Sequence, residues 1–389
     1  MKNVSIKLLN KSEEERNMFL DNLIKELVKN KKQVFLANKK DLDNAFEKNL
    51  SEAFVQRLKL GENEFKNIID RVKQVRSLDS NLGEIIEKKI NNNGLEIHKV
   101  RVPIGIILVI FESRPEVTID VACLCLKSGN AAILKGGSEA IETNLVLFEC
   151  IKSALIKSKF PEDAVQFINT KNRSVVLKLL KRNDLVDLVI ARGGYEMVKN
   201  IQSNSTIPVL AHSSGGARIY IDKSADISIV KKILINAKTT KPSACNSLDT
   251  VIVHKDLKNK LLPIIVKSFQ ENNVKIIKNE WDKEFLCLDV SIKIVDSLND
   301  AINFIGAHTK KHSEGIIATD KEAINKFISL IDSAAIFINS STRLHDGYEF
   351  GLGSEMGIAT GKLHARGPVG LKELTIYKWI AYGKGHIRK

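Results

Sequence analysis

Ile104-Gly105-Ile106-Ile107-Leu108-Val109-Ile110-Phe111 is a continuous apolar run of eight residues. A strand without polar alternation is typical of a parallel sheet that is covered by helices on both faces. A helical stretch follows as far as Lys127, and residues 131–134 form a second short apolar strand. This order of strand, helix and strand predicts a βαβ unit and therefore a doubly wound parallel sheet.

The alternation of strands and helices continues through the rest of the chain. Residues 141–155 carry an apolar helical face, and Ser138 is placed to cap that helix. Later short apolar segments predict strands at residues 186–190, 250–253, 292–295, 315–318 and 334–338. We therefore expect a second α/β domain, which begins near Gly216.

Three further segments have local signals of their own. Ser12 followed by Glu15 is a capping box, which predicts the start of an amphipathic helix. Asn91-Asn92-Asn93-Gly94 separates two short extended pieces and predicts a hairpin. Residues 373–380 are extended and amphipathic, and we expect them to add to the sheet edge of a partner chain.

The composition excludes several classes of protein. The chain has 389 residues, 43% hydrophobic and 27% charged, which is ordinary for a globular protein with a large core. We expect a cytoplasmic protein, because the amino terminus lacks the apolar region of a signal peptide and no apolar run is long enough to span a membrane. Five cysteines without a CxxC pair argue against a disulfide framework, and eight scattered histidines predict no metal site.

The net charge of +14 is explained by lysines that are spread along helices together with glutamates. No basic block with interleaved aromatic residues is present, so a solvated surface is favoured over a nucleic-acid interface. The same charge would steer an anionic substrate or a phosphorylated cofactor towards the protein.

Cys245 is the candidate nucleophile among the cysteines. It lies shortly after Pro242 and just before a strand, in a turn where a thiol is open to substrate and backbone N–H groups can stabilise an oxyanion. Lys238 and Lys241 are nearby cations that would lower the thiol pKa. Taken alone, a single cysteine is more often a buried packing residue.

Two glycine-bearing strand ends are candidates for binding phosphates. Lys135-Gly136-Gly137-Ser138 and Arg192-Gly193-Gly194 each lie between a strand and a helix. Bare backbone at a helix amino terminus favours an anion. Neither segment is a GxGxxG fingerprint or a Walker A loop, so a plain glycine turn stays equally open for each.

Several blocks resemble the gamma-glutamyl phosphate reductase family, whose activity is also called glutamate-5-semialdehyde dehydrogenase, within the aldehyde dehydrogenase superfamily. The similarity runs nearly from end to end, in order. The blocks are residues 102–105, 111–115, 126–140, 236–239, 242–246, 341–343 and 362–368.

The resemblance implies an aldehyde-dehydrogenase-like α/β fold with two doubly wound α/β domains, a small oligomerisation hairpin and a C-terminal tail. Residues 1–87 and 104–215 would form the dinucleotide-binding domain, and residues 216–366 the catalytic domain. Residues 88–103 and 367–389 would be the oligomerisation elements.

The activity implied is NADPH-dependent reduction of L-glutamate 5-phosphate to L-glutamate 5-semialdehyde and phosphate through a cysteine thioester, the second step of proline biosynthesis from glutamate. By resemblance, Cys245 is the nucleophile and Ser113 lies in the oxyanion hole, with Asn246 as a third catalytic residue. The cofactor NADP(H) would be held by Lys135, Gly136, Ser138, Gly193, Gly194 and Glu284.

Arg114, Arg343 and Arg366 lie in family-specific blocks, and arginine suits the recognition of carboxylate and phosphate. We expect at least one of them to bind substrate, while a structural salt bridge is the equal alternative for each. The choice between NADP and NAD stays open, because Lys135 and Lys171 are not diagnostic. A homo-oligomer, dimer or higher, and a complex with glutamate 5-kinase are the expected partners.

Two features modify the resemblance. The stretch 210–216 has no carboxylate where ordinary aldehyde dehydrogenases carry a base that activates water, which favours a reductase. Ala217-Arg218 stands where the family usually has cysteine and histidine. The runner-up hypothesis is NAD(P)-dependent oxidation of a small aldehyde, and a basic nucleic-acid-binding protein is the third.

Overall fold

The structure, a computed structural model, describes residues 2–170, 172–212 and 215–388, without the side chains of Lys2, Ala53 and His212. Lys171 and residues 213–214, which enter the sequence interpretation, lie outside these ranges. The chain divides into two compact units. The first consists of Met1–Leu210, Leu352–Gly357 and Val369–Lys389, and the second of Ala211–Gly351 and Ile358–Pro368.

The first unit begins with helices and continues as alternating strands and helices. Its elements up to the unit boundary are α1 (Lys2–Leu9), α2 (Glu13–Lys29), α3 (Lys31–Glu47), α4 (Glu52–Leu58), α5 (Glu62–Ser77), β1 (Ile85–Ile90), β2 (Glu96–Pro103), β3 (Ile106–Phe111), α6 (Val117–Lys127), β4 (Ala131–Lys135), α7 (Ile141–Lys157), β5 (Val165–Phe167), α8 (Arg173–Leu179), β6 (Leu188–Arg192), α9 (Tyr195–Asn204) and β7 (Val209–His212).

The second unit continues the alternation, and the chain ends in a strand of the first. The remaining elements are β8 (Ala217–Ile221), α10 (Ile227–Thr239), β9 (Leu248–His254), α11 (Lys258–Glu271), β10 (Lys275–Ile277), β11 (Asp289–Val295), α12 (Leu298–His308), β12 (Ser313–Ile317), α13 (Lys321–Leu330), β13 (Ala335–Ile338), β14 (Ile358–Ala359), β15 (Gly367–Pro368) and β16 (Thr375–Tyr382).

The sheet of the first unit has the strand order β5-β4-β3-β6-β7. Strand β3 runs parallel to both β4 and β6, and all six of its residues are buried. The apolar run that opens the fold is thus a central strand, as its lack of polar alternation predicts. The chain proceeds from β3 outward through β4 and β5, then crosses to β6 on the other side of β3.

The sheet of the second unit has the strand order β10-β11-β9-β8-β12-β13, and every pairing in it is parallel. Ile219, Val251 and Val253 of this sheet pack with Leu234 of α10 and Phe269 of α11 in one core cluster. The predicted doubly wound α/β architecture is confirmed for both units.

The hairpin and the tail form one antiparallel sheet with the order β1-β2-β16. The turn at 91–94 joins β1 to β2, as predicted. Strand β16 of the tail pairs with β2 of its own chain from Thr375 opposite Pro103 to Tyr382 opposite Glu96, and its other edge is the one that the expected addition to a partner chain would use. The tail therefore completes a sheet within its own chain.

The two helix caps predicted from sequence have different outcomes. The Ser12 side chain accepts from the Glu15 N–H at 3.2 Å and the Glu15 carboxylate accepts from the Ser12 N–H at 2.8 Å, so the capping box is confirmed. Ser138 does not cap α7, because it lies inside a separate 3₁₀ turn, Ser138–Ala140.

Asp41 of α3 caps α7 in place of Ser138. Its carboxylate accepts from the backbone N–H groups of Glu142, at 3.2 Å, and Thr143, at 2.8 Å, and from the Thr143 hydroxyl at 2.6 Å. Burial raises the pKa of Asp41, while these three hydrogen bonds oppose the rise. A side chain about a hundred residues away thus fixes the helix that follows β4.

Within the part of the chain that the structure describes, no helix is both long and apolar enough to cross a membrane.

Candidate active site

The predicted catalytic and cofactor residues of the first unit lie at one edge of its sheet. Ser113 follows β3, the Lys135-Gly136-Gly137-Ser138 segment follows β4, and Gly193 and Gly194 follow β6. Because these three strands are parallel neighbours, their carboxyl ends lie side by side. The chain order reverses between β3 and β6, and open α/β sheets bind dinucleotides at such a switch point.

The end of β4 offers bare backbone and one positive charge. A Cβ atom on Gly136 would lie 2.3 Å from the Asn144 amide nitrogen, so only glycine fits there. The Lys135 ammonium donates to the Gly136 carbonyl at 2.6 Å, and burial lowers the pKa of Lys135. Ser138 is exposed in the turn that follows.

The amino terminus of α9 already holds an anion from its own chain. The Glu112 carboxylate accepts from the Gly194 N–H at 2.8 Å, and a Cβ atom on Gly193 would lie 2.5 Å from a Glu112 carboxylate oxygen. A carboxylate therefore stands where a phosphate is predicted. The site suits an anion, since the helix dipole and the N–H group favour negative charge.

Ser113 has a strained backbone. Its φ is 48°, a left-handed conformation that is uncommon for serine, and the residue is buried. Its N–H donates to the Glu139 carboxylate at 2.7 Å. Glu139 and Glu112 were not expected from sequence; their only signal is an acid beside a strand end that also carries glycine or serine.

Arg114 lies close to Arg192 in the first unit. Burial lowers the pKa of Arg192, the positive charge of Arg114 lowers it further, and Glu355 opposes both effects. Two guanidinium groups that repel each other favour an anion between them.

Cys245 lies in a turn between α10 and β9, at the amino edge of the second sheet. The Ser247 N–H donates to the Ala244 carbonyl at 3.0 Å, and the Cys245 carbonyl accepts from the Gly216 N–H at 2.7 Å. The side chain is half-buried, whereas Cys123, Cys125 and Cys150 are fully buried. Burial raises the pKa of the Cys150 thiol to about 12.

Glu284 approaches the same backbone as Cys245. A Cβ atom on Gly215 would lie 2.4 Å from Cys245 Cβ and 2.4 Å from a Glu284 carboxylate oxygen. Because Gly215 has no side chain, the Cys245 side chain and the Glu284 carboxylate can both lie against its backbone. This places two of the predicted site residues together in the second unit.

Arg343 is the cation that the structure brings to Cys245. Burial lowers the pKa of the Arg343 guanidinium, and the negative charge of the Cys245 thiolate raises it. The cations proposed from sequence were Lys238 and Lys241. Lys238 is fully buried, 3.9 Å from Asp249, and Lys241 is exposed; for both, an effect on the thiol pKa stays a prediction.

Asn246 connects the Cys245 turn to the segment that carries Arg343. The Arg343 guanidinium donates to the Asn246 side-chain oxygen, and the Asn246 amide donates to the His345 carbonyl at 3.0 Å. The Thr342 hydroxyl donates to the Asn246 carbonyl at 2.9 Å. These contacts give buried Asn246 the geometry of a residue that positions Arg343.

Arg366 makes a salt bridge. It donates to Asp332 at 2.6 Å, and hydrogen bonds from Arg366 and Lys362 lower the pKa of Asp332 to about 2. For Arg366 the contacts favour the structural alternative over substrate binding. The described contacts of Arg366 do not include Cys245 or Arg343.

Comparisons with known proteins identify the family of the chain. The Aldehyde dehydrogenase family model matches residues 15–284, so the chain is an oxidoreductase of that class. A gamma-glutamyl phosphate reductase of Caldanaerobacter subterraneus is 41% identical over 97% of this chain and 95% of the relative. One of Clostridium kluyveri is 40% identical over 98% and 95%.

A solved structure extends the likeness to three dimensions. The crystal structure of the gamma-glutamyl phosphate reductase of Thermotoga maritima matches with a TM-score of 0.95 and 36% identity, over 100% of this chain and 98% of that one. Within the aldehyde dehydrogenase class, the chain belongs to the gamma-glutamyl phosphate reductase family. The family and the fold expected from sequence are confirmed.

Proposed function

We propose that this protein reduces L-glutamate 5-phosphate to L-glutamate 5-semialdehyde and phosphate with NADPH, as the second step of proline biosynthesis from glutamate. The relatives' shared name supports the substrate. The observation that carries the chemistry is Cys245, a half-buried thiol in a turn with the Arg343 guanidinium close enough to be coupled to its charge.

Cys245 forms the covalent intermediate. The Cys245 thiolate attacks the acyl carbon of the substrate, a C–S bond forms, and the C–O bond to phosphate breaks as phosphate leaves with its electron pair. Arg343 stabilises the thiolate, and Asn246 holds Arg343 in place. A thioester accepts hydride, which a free carboxylate does not, and a nicotinamide dinucleotide, when bound, would supply that hydride. Breakage of the C–S bond then frees the aldehyde and the thiolate.

The residues proposed to hold the dinucleotide are Lys135, Gly136, Ser138, Gly193 and Gly194, and Glu284 is proposed to hold a ribose. The Gly194 N–H already donates to the Glu112 carboxylate, which supports the binding of another anion, the pyrophosphate, at this position. Lys135 is a cation that a 2′-phosphate could meet, but its position is not diagnostic, so the assay below with both cofactors decides between NADP(H) and NAD(H).

The substrate carries negative charge at both ends, and arginines would bind it. Arg343 beside Cys245 suits the acyl phosphate, and Arg114 is the second candidate. Arg366 is the weakest of the three because Asp332 already pairs with it. Ser113 would contribute to the oxyanion site through the strained turn after β3.

A reverse assay tests this function. Glutamate 5-semialdehyde, inorganic phosphate and NADP⁺ or NAD⁺ are supplied to wild type and to Cys245→Ala. We expect reduction of NADP⁺ that requires phosphate and that disappears in the alanine variant. Activity without phosphate would favour the runner-up, oxidation of a small aldehyde to an acid. Full activity of Cys245→Ala would overturn the thioester mechanism.

The expected partners also remain proposals. A homo-oligomer, dimer or higher, is supported by exposed Tyr377 and Trp379 on β16, which is an edge strand of its sheet. Light scattering on wild type and on Trp379→Glu tests this, and an unchanged mass in the variant counts against that surface. Cytoplasmic location and a complex with glutamate 5-kinase, which would protect the labile acyl phosphate, complete the proposal.

A further inference from the structure

Four charged side chains are buried together in the second unit. Arg218, Lys238, Asp249 and Glu314 are each at most 3% exposed. Burial raises the pKa of both Asp249 and Glu314, while Lys238 and Arg218 oppose the rise. Taking four charges out of water is costly, so such a group needs good geometry or a role.

Arg218 grips the chain just before Glu284. Its guanidinium donates to the Glu314 carboxylate at 3.3 Å, to the Trp281 carbonyl at 3.1 Å and to the His308 carbonyl. The planar, forked guanidinium reaches three acceptors at once, which a lysine ammonium on a flexible stem does not reproduce.

Asp249 grips the chain just after Glu284. Its carboxylate accepts from the Phe285 N–H at 3.1 Å. Arg218 and Asp249 therefore hold the segment 281–285 at both ends, with Glu284 between the two contacts. Outside these anchors the segment has no regular secondary structure to fix it.

The same two residues reach the backbone beside Cys245. A Cβ atom on Gly216 would lie 3.1 Å from an Asp249 carboxylate oxygen and 4.0 Å from an Arg218 guanidinium nitrogen. The Gly216 N–H in turn donates to the Cys245 carbonyl. Asp249 and Arg218 thus hold the segment that carries Glu284 and also lie near Gly216, whose N–H bonds to the Cys245 carbonyl.

We propose that Arg218, together with Asp249 and Glu314, is a positioning network that fixes the Glu284 carboxylate for dinucleotide binding. This inference rests on the proposed function, in which Glu284 holds a ribose of the cofactor. Arg218 lies in the Ala217-Arg218 pair, which departs from the usual family pattern. Arg218 does not touch substrate or cofactor; it acts through residues 281–285.

The test compares Arg218→Met, Arg218→Lys, Glu284→Gln and the double variant Arg218→Met/Glu284→Gln. Lys255→Met, which removes an exposed cation in the same unit, is the matched control. The dissociation constant of NADPH is measured from its own fluorescence, and backbone hydrogen exchange is followed in residues 281–285. In a Trp379→Phe background Trp281 is the single tryptophan and reports on the segment.

We expect Arg218→Met to weaken NADPH binding about 10-fold, to speed exchange in 281–285 and to shift Trp281 emission, with alkylation of Cys245 within about 2-fold of wild type. Arg218→Lys keeps the charge but loses the forked guanidinium, so we expect about 3-fold weaker NADPH binding. This variant also tests the network if Arg218→Met does not fold. Glu284→Gln should weaken binding without faster exchange, and the double variant should bind no worse than Glu284→Gln.

Two results separate failure of this inference from failure of the proposed function. If Glu284→Gln leaves NADPH binding unchanged, the assigned cofactor role of Glu284 is wrong. If Glu284→Gln weakens binding but the Arg218 variants do not, or if the effects add in the double variant, the positioning network is overturned. Equal losses in Lys255→Met would also overturn it.

Discussion

The two units present their functional residues at opposite edges of similar parallel sheets. In the first unit the candidate residues follow the carboxyl ends of β3, β4 and β6. In the second unit Gly215, Cys245 and Glu284 precede the amino ends of β8, β9 and β11. At the first edge, backbone N–H groups are the main groups that attract negative charge, whereas at the second edge side chains are.

The difference follows from where helix ends collect. In a βα unit the helix that follows a strand begins at the carboxyl edge, so helix amino termini with free N–H groups gather there and attract anions. The amino edge receives helix carboxyl termini, whose dipole disfavours a thiolate. At that edge a half-buried cation, Arg343, supplies the positive charge that backbone N–H groups supply at the other edge.

The largest effect on activity is expected at the Cys245 thiol, on the edge that depends on side chains. Arg343→Met removes the cation beside Cys245, so the thiol pKa should rise and kcat/KM should fall about 10²- to 10³-fold. The rate of Cys245 alkylation against pH checks the cause. Arg366→Met, which removes an arginine already paired with Asp332, should lose much less. An unchanged alkylation profile in Arg343→Met would refute this role.

The second effect concerns the scaffold of the first edge. Asp41→Ala leaves the α7 N–H groups of Glu142 and Thr143 without their acceptor, so the free energy of unfolding should fall by about 2 kcal/mol. Chemical denaturation measures it. Asp43→Ala, an exposed residue two positions further along α3, should change little. Equal losses in both variants would show that Asp41 is not a specific cap.

The third effect is a pH dependence of the buried charges. Burial raises the folded-state pKa of Glu314 to about 7, so between the unfolded and folded pKa values the folded protein holds a proton that the unfolded chain has lost. The contribution of Glu314 to stability is therefore present at low pH and is lost as pH rises towards 7 and above.

Glu314→Gln should accordingly flatten the fall in stability between pH 5 and 8, by about 2 kcal/mol over that range. Denaturation of wild type and variant across the range measures the difference, and other titrating groups cancel in the comparison. Glu322→Gln, exposed on α13, is the control. A steeper fall in Glu314→Gln would mean that the sign is wrong.

The smallest effect is expected on cofactor affinity at the edge of the first sheet, which depends on backbone N–H groups. Glu112→Gln removes a negative charge from the amino terminus of α9 but keeps an acceptor for the Gly194 N–H. NADPH should bind about 3-fold more tightly at low salt, because less like charge opposes its phosphates. Glu196→Gln, in the first turn of the same helix, should have a smaller effect. Weaker binding in Glu112→Gln would contradict an anion site at Gly194.

The elements of the fold were predictable because their signals are local. An unbroken apolar run identified β3, a capping box located α2, and an asparagine-glycine turn located the hairpin. Each depends on hydrophobic burial or backbone geometry within a few residues. The turn that carries Cys245 was also visible, since proline and the following strand bound it in sequence.

The partners within the site were not predictable in the same way. Sequence proximity points to Lys238 and Lys241 as cations for Cys245, whereas Arg343, about a hundred residues later, is also coupled to the charge of the thiolate. Sequence proximity also points to Ser138 as a helix cap, yet Asp41 performs that role. In both cases a distant group contributes that no local pattern reveals, and the sequence gives no sign of which pairs will be buried together.

The sequence by itself therefore determined the α/β class, the strands and helices, the family, and the place of the proposed nucleophile in a turn before β9. Only the tertiary structure decided which charges meet: Glu112 with the Gly194 N–H, Asn246 with Arg343, and Arg218 with Glu314. The physical reason is that hydrophobic periodicity is recorded along the chain, whereas buried polar groups are satisfied by whichever partner the packing of distant elements brings within hydrogen-bonding distance.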